Sequence, residues 1–318
     1  MGITAVGSVA FDSVTTPFGA RERMLGGAAT HFALGASFFD DVRVVGVVGD
    51  DFGDAEFELL QTRGTNVDDV MRVPEGRTFF WRGEYGWDLN SRETLDTQLN
   101  VFEHFAPQLS QRSRECDVLF LANIQPGLQL EVHRQCQGAR FVALDSMNLW
   151  IDAARDRLDE VIRSVDCVLL NDAELRQLTR KTSLAAAANE VLSMGPSVVV
   201  AKQGEYGACL FTNDGFFGLP AYPLETVVDP TGAGDTFAGG FLGHIAAHRD
   251  APITHDLLCE AMAHATTVAS FNVEEFGTER VVRLTCGEIE DRVHELQRMT
   301  SFELRPTAFR GSLSVSAR

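Results

Sequence analysis

Lysine is almost missing from this chain of 318 residues: Lys181 and Lys202 are the only two. Neither follows a glycine, so the Gly-Lys-Ser/Thr core of a Walker A loop is absent and a P-loop NTPase is excluded. Positive charge is short throughout, with 27 Lys+Arg against 45 Asp+Glu and a formal net charge of −18. Such a surface repels phosphate backbones and anionic headgroups, so neither nucleic acid nor a membrane is an expected partner. A small anion remains admissible, because a nest of backbone N–H groups binds phosphate inside an acidic protein. No apolar run reaches the roughly 20 residues of a membrane span. The start, MGITAVGSVAFD, carries no basic region before Asp12 and does not read as a signal peptide. Position 6 is Val6, not the Ser or Thr of a myristoylation pattern. The 6 cysteines (Cys116, Cys136, Cys167, Cys209, Cys259 and Cys286) include no CxxC. Scattered in this way they read as small buried hydrophobes, neither a disulfide frame nor a zinc site. These absences set the expectation of a soluble, cytoplasmic protein.

What is present is globular. Hydrophobic residues make up 45% and charged residues 23%, which argues against a disordered, collagen-like or fibrous chain. The length suits one large domain with an appendage. Short branched-apolar runs at 3–7, 42–48, 118–122, 141–144, 167–170 and 198–201 read as strands. Several are apolar at successive positions, as in strands buried on both faces of a parallel sheet. Helical patterns lie between them at 28–39, 54–63, 128–137, 151–164, 173–180 and 184–194. After about residue 230 the chain turns mostly helical, at 232–248, 254–272 and 288–299. The alternation predicts βαβ units and a sheet between helix layers. Two polar, aromatic, turn-rich stretches, 15–25 and 78–98, break it and read as a separate small β element. The stretch 301–318 has no period and reads as a loosely held tail.

The strongest local feature is Asp229-Pro230-Thr231-Gly232-Ala233-Gly234-Asp235, opening a long apolar helix. A glycine-rich turn there leaves backbone N–H groups unpaired at a helix N-terminus, where the dipole favours an anion. An acid at the same point has two readings. Asp235 caps the helix, or it accepts the proton of a nucleophilic hydroxyl. The dinucleotide fingerprint GxGxxG does not follow the first strand, and Gly46 and Gly49 are too widely spaced for it, so a Rossmann dehydrogenase is disfavoured.

On this loop the chain resembles the ribokinase-like (PfkB) family of carbohydrate and nucleoside kinases, whose signature D-T/P-x-G-A-G-D matches Asp229 to Asp235. Further segments up to about residue 300 are similar. Gly7-Ser8 with Asp12 resembles the first strand and the acid that binds substrate hydroxyls. Gly26-Gly27-Ala28-Ala29 resembles the di-glycine turn under the substrate. The segment from Val45 to Gly53 resembles G-x-x-G-x-D-x-x-G. Asn171-Asp172-Ala173-Glu174 resembles the N-x-x-E motif tied to magnesium and phosphate. Lys202-Gln203-Gly204-Glu205-Tyr206-Gly207 resembles the T-x-G-x-x-G turn beside the nucleotide.

The resemblance implies a three-layer α/β/α sandwich over 1–300, with a mostly parallel central sheet and a small β lid at 15–25 and 78–98. It implies ATP and Mg2+ as cofactors and leaves open a monovalent cation such as K+. By this likeness Asp235 is the catalytic base and Gly232, Ala233 and Gly234 form the anion hole. Asp12, Gly26, Gly27 and His31 bind the substrate. Asn171, Glu174, Lys202, Gly204, Gly207, Thr231 and His264 bind the nucleotide, with Asn171 and Glu174 addressing Mg2+ through water. Alone, N-x-x-E is also an ordinary helix start. Two residues depart from the pattern. His31 stands where many sugar kinases have Asn, and Lys202 replaces Thr, facing either an ATP phosphate or ribose, or solvent. The expected reaction is phosphorylation of a hydroxymethyl group of a sugar; the alternative is a nucleoside such as adenosine. A non-catalytic sensor on the same fold is the third reading, disfavoured because Asp235 and its glycines are all present.

The lid stretch carries Phe79, Phe80, Trp81, Tyr85 and Trp87, suited to packing, to a homodimer face, or to stacking on a base or sugar. Arg21, Arg23, Arg77 and Arg82 read as a solvated lid edge. His244 and His248 have i, i+4 spacing but lack the metalloprotease glutamate, and read as histidines at a helix C-terminus.

Overall fold

A computed structural model describes residues 2–305. In chain order the strands are β1 (Ile3–Val6), β2 (Ala10–Thr16), β3 (Gly19–Gly26), β4 (Val42–Gly49), β5 (Asn66–Val73), β6 (Phe79–Tyr85), β7 (Arg92–Gln98), β8 (Val118–Leu121), β9 (Phe141–Asp145), β10 (Cys167–Asn171), β11 (Val198–Lys202), β12 (Ala208–Thr212) and β13 (Gly215–Leu219). The helices are α1 (Ala28–Ala36), α2 (Asp54–Gln61), α3 (Gln111–Arg114), α4 (Pro126–Gln135), α5 (Asn148–Ala153), α6 (Arg155–Ile162), α7 (Asp172–Thr179), α8 (Leu184–Met194), α9 (Ala233–Ala247), α10 (His255–Asn272), α11 (Glu279–Arg283) and α12 (Cys286–Thr300).

The main sheet has the order β13-β12-β11-β10-β9-β8-β1-β4-β5. It is parallel from β11 to β5, and β12 and β13 extend it antiparallel at one edge. The successive apolar residues read from sequence serve two cores, because neighbours on a strand face opposite ways. Val198 and Val200 of β11 join one apolar cluster, and Val199 and Ala201 the other. Val118 and Phe120 of β8 part in the same way from Leu119 and Leu121. Residues of α1, α9 and α10 cover the first face, and residues of α4, α6, α7 and α8 the second. The three-layer sandwich is therefore as expected, with the ligand edge at the carboxyl ends of the parallel strands.

The small sheet runs β3-β2-β6-β7 and forms the lid. Its inner face packs on the main body through Val14, Tyr85 and Phe276. The lid starts earlier than the sequence reading placed it, at Ala10, and this corrects the position of Asp12. Asp12 does not end β1; it lies within β2, paired with Met24 and Trp81. Its carboxylate thus comes from the lid side of the cleft. Strands β5, β12 and β13 were not expected: β5 is a polar edge strand, and the other two form a short hairpin. The helix expected over 151–164 is broken at Ala154, whose backbone (φ −139°, ψ 35°) is not helical. Residues 301–305 are irregular and exposed, and the rest of the expected tail, 306–318, lies outside the described residues. Among the described residues no helix is long and apolar enough to cross a membrane.

Candidate active site

The loop before α9 is built on Asp229. This acid is fully buried. Its Oδ1 accepts the Thr231 N–H at 2.9 Å and its Oδ2 the Gly277 N–H at 2.9 Å, so it folds the loop and does not face a ligand. Gly232 takes φ +73°, and a Cβ there would strike the His31 ring beneath it. Only glycine fits both demands. The Ala233 N–H is used by the Pro230 carbonyl at 3.2 Å. The N–H groups of Gly232 and Gly234 have no partner among the described residues and are the ones left for an anion. Asp235 sits in the first turn of α9. Burial, and after it the Asp145 carboxylate, push its carboxyl up to about 7.

The strand ends beside this loop supply the next layer. Lys202, ending β11, neither faces solvent nor stands free for a phosphate. Its Nζ donates to the Asp145 Oδ2 at 2.6 Å and lies close under Gly234. Burial opposes its charge, but Asp145 and Glu174 outweigh that and hold the ammonium above its usual pKa. Asp145 ends β9 and is itself buried. Asn171 and Glu174 form a capping box at the start of α7. The Asn171 Oδ1 accepts the Glu174 N–H at 2.8 Å, and the Glu174 Oε2 accepts the Asn171 N–H at 2.9 Å. The helix-start reading of N-x-x-E is thus realised, and it still leaves the Glu174 Oε1 uncommitted. Burial first, and then Asp145, push Glu174 up to about 7.

The lid closes the opposite wall. Asp12 is 7% exposed, packed over Gly26. Burial pushes it up to about 7, and Asp229 and Asp235 add to that. Two contacts tie the lid across the cleft. The Thr231 hydroxyl donates to the Tyr85 oxygen at 3.2 Å. The Asn90 amide, at the tip of the β6–β7 hairpin, donates to Glu205 at 3.0 Å, in the turn held by Gly204 (φ +57°) and Gly207 (φ +99°). Arg92 of β7 packs over Trp81 at 5.3 Å, and its charge bears on Asp12, Glu174 and Asp235 alike.

His31 is the floor of the loop. It is 2% exposed, and its Nδ1 lies 3.2 Å from the Asn272 Oδ1. Asn272 also accepts from Thr236 at 3.0 Å and donates to the Thr231 carbonyl at 2.8 Å. Burial lowers the His31 pKa and favours the neutral ring. His264 is not brought to this site. Its ring stacks on His244 at 4.2 Å, toward the far end of α9, where the His248 Nδ1 meets the His244 carbonyl at 2.9 Å.

Sequence reasoning missed Asp145, Asn272, Arg92 and Asn90. Asp145 left a signal, an acid at the end of the apolar run FVALD, and so did Asn272, an amide within the apolar part of α10. Arg92 and Asn90, both exposed, left none, because only the folded lid brings Asn90 to Glu205 and the Arg92 charge to bear on the cleft acids.

The donor set suits a hydrated Mg2+. Burial first, and then the negative charge that Glu174, Asp145 and Asp235 crowd together, raises Glu174 and Asp235 to about 7, and a divalent cation relieves such crowding. Among the described residues no group of three or more potential ligands is arranged to hold a metal directly.

Residues 4–283 match the model of the pfkB family carbohydrate kinases. A cytidine kinase of Thermococcus kodakarensis is 29% identical over 251 residues, spanning 76% of this chain and 87% of the relative. A nucleoside kinase of Burkholderia thailandensis in complex with inosine has the same fold, with a TM-score of 0.74 at 20% identity over 92% of this chain and 97% of the other. So does a ribokinase-like protein of E. coli in complex with ATP and Mg2+, with a TM-score of 0.74 at 20% identity over 92% and 99%.

Proposed function

The chain belongs to the pfkB family of carbohydrate kinases, and from that premise we propose that it transfers the terminal phosphoryl group of ATP to a hydroxyl of a nucleoside. The sugar kinase expected first from the sequence becomes the second reading. The likeness to a cytidine kinase over 76% of the chain supports the change. One observation carries the reading. Asp12, on lid strand β2, lies close enough to Asp235 in the first turn of α9 to feel its charge, and the N–H groups of Gly232 and Gly234 beside Asp235 have no partner among the described residues.

Phosphoryl transfer asks for positioning and charge stabilisation more than for covalent chemistry. In this reading Asp12 accepts hydrogen bonds from the ribose hydroxyls and sets the acceptor oxygen toward Asp235. Asp235 orients that hydroxyl in line and takes its proton. The Gly232 and Gly234 N–H groups face the charge that grows on the transferring group. Lys202, held by Asp145, lies under Gly234, and Arg92 brings a lid-borne positive charge to a site otherwise crowded with acids. Kinases of this family use ATP with Mg2+; held by Glu174 and Asn171 through water, the ion would neutralise phosphate charge.

The test is ATP turnover against a panel of nucleosides and free sugars. The expected outcome is a higher kcat/KM for a nucleoside than for any sugar. A free sugar leading the panel would return the assignment to a carbohydrate kinase, and no turnover with any acceptor would remove it.

A further inference from the structure

The His31 ring is committed at one nitrogen and bare at the other. It comes from the first turn of α1 and is buried under the glycine loop. A Cβ at Gly232 would collide with its Cγ, Nδ1 and Cδ2, so the loop rests on the ring. The tautomer follows from the partners. The Thr231 carbonyl can only accept, so the end of the Asn272 amide that lies 2.8 Å from it is the NH2. The Asn272 Oδ1 then faces the Thr236 hydroxyl at 3.0 Å and the His31 Nδ1 at 3.2 Å. An amide oxygen has no proton to give, so Nδ1 carries one. Burial keeps the ring neutral against the pull of the Asp229 charge, which leaves Nε2 as the bare nitrogen. It has no partner among the described residues. Asn272 is itself fully buried, with both ends of its amide engaged.

We propose that His31 is a positioning residue for phosphoryl transfer: locked by Asn272, its ring sets the height at which the loop holds the Gly232 N–H. The role rests on the reading of this loop as the anion site of a kinase. Thr231, the residue before Gly232, is held at three points. Its N–H donates to Asp229, its carbonyl accepts from Asn272, and its hydroxyl donates to Tyr85 of the lid. His31 enters through the second, because its Nδ1–H fixes which end of the Asn272 amide meets the loop. The ring and the bond together tie α1, α10 and the loop into one unit. Such a unit serves the charge that grows in the transition state, not the bound acceptor. Its loss should therefore show in kcat and spare KM.

Two variants divide the features of the ring. His31→Phe keeps a flat ring under Gly232 and removes the bond to Asn272. His31→Asn keeps a donor near the place of Nδ1 and removes the ring. Each is expected to lower kcat by about 10- to 100-fold, with the acceptor KM and the calorimetric Kd of ATP within about twofold of the parent's. A raised acceptor KM with kcat retained would make His31 a substrate contact. A lowered Tm with both constants retained would make it a packing residue. Either result overturns the proposal. A parent protein that turns over no acceptor would overturn the kinase reading and this role with it, and that is seen before any variant is made. The tautomer is read without turnover and without a variant, by NMR of the full chain carrying isotopically labelled histidine. His31, assigned through its own backbone resonances, is expected as the neutral Nδ1–H form between about pH 5 and pH 8. An Nε2–H form, or a ring that titrates within that window, would also overturn the proposal.

Discussion

Asp235 carries the argument at the scale of single residues, because its two readings part under one substitution. Asparagine keeps the size of the side chain, and no cap is at stake, because Gly232 is the N-cap of α9 and no side chain bonds there. It removes the proton acceptor and one of the acids crowded around Lys202. Asp235→Asn should therefore lower kcat by about 10²–10⁴-fold while ATP binding, followed by calorimetry, is retained or tightened. Turnover like that of the parent protein would remove Asp235 from the mechanism. The same variant tests the electrostatics without any substrate. The carboxyl of Asp235 rises from 3.8 to about 7 on folding. A raised carboxyl contributes stability that is full below its unfolded pKa and is lost as pH climbs through its folded one. The unsubstituted protein should thus lose Tm relative to Asp235→Asn between about pH 4 and pH 7, with no further divergence above. A constant offset across that range would mean the carboxyl is charged and satisfied in the folded state. These residues differ in how legible they were. The glycines and Asp235 stand in one unbroken signature whose chemistry follows from their order. Asp12 was legible as an acid near the site but not as a lid residue, because nothing in its neighbours marks where β1 ends and β2 begins.

Elements were legible where burial imposed a pattern and obscure where it did not. The buried parallel strands announce themselves through runs such as VLFL and CVLLN, because both of their faces must be apolar. The polar β5 lies at a sheet edge, where one face and one backbone row meet water, so its sequence is under little constraint. The break at Ala154 escaped notice because residues 151–164 keep a helical period on both sides of it. The lid was found by the loss of βαβ alternation, not by a pattern of its own. Its working depends on a tip that sequence does not reveal: Asn90 reaches Glu205 at 3.0 Å, beside the turn that resembles a nucleotide site. This bond and the one between Tyr85 and Thr231 favour the closed lid. An exposed hydrogen bond contributes about 0.5–1.5 kcal/mol. Asn90→Ala should therefore raise the acceptor's KM by about two- to tenfold and leave kcat nearly unchanged, since Asn90 touches no reacting atom. Steady-state kinetics check this, and an unchanged KM would make the contact incidental to closure.

For the molecule as a whole, the shortage of lysine matters through the charge balance it leaves. With 45 acids against 27 Lys+Arg, the folded chain gathers like charge that the unfolded chain spreads apart, and compactness suffers from the repulsion. Surface ion pairs such as Arg249 with Asp40 at 2.8 Å and Arg82 with Glu22 at 2.9 Å offset little of it, since exposed pairs contribute about 0–1 kcal/mol each. The cleft acids Asp12, Glu174 and Asp235 resist ionising in the folded state, chiefly because they are buried, and so carry less of this charge than exposed carboxylates do. Salt weakens both the repulsion and the pairs, shortening the screening length from about 30 Å at 0.01 M to about 3 Å at 1 M. The repulsion involves many more charges over longer distances, so its loss should win. Tm should rise steadily as NaCl or KCl is raised over that range, by similar amounts for the two cations at neutral pH. A response to K+ alone would indicate a bound monovalent cation in place of general screening. A Tm that falls with both salts would mean that the ion pairs, not the excess acids, govern the stability of the fold.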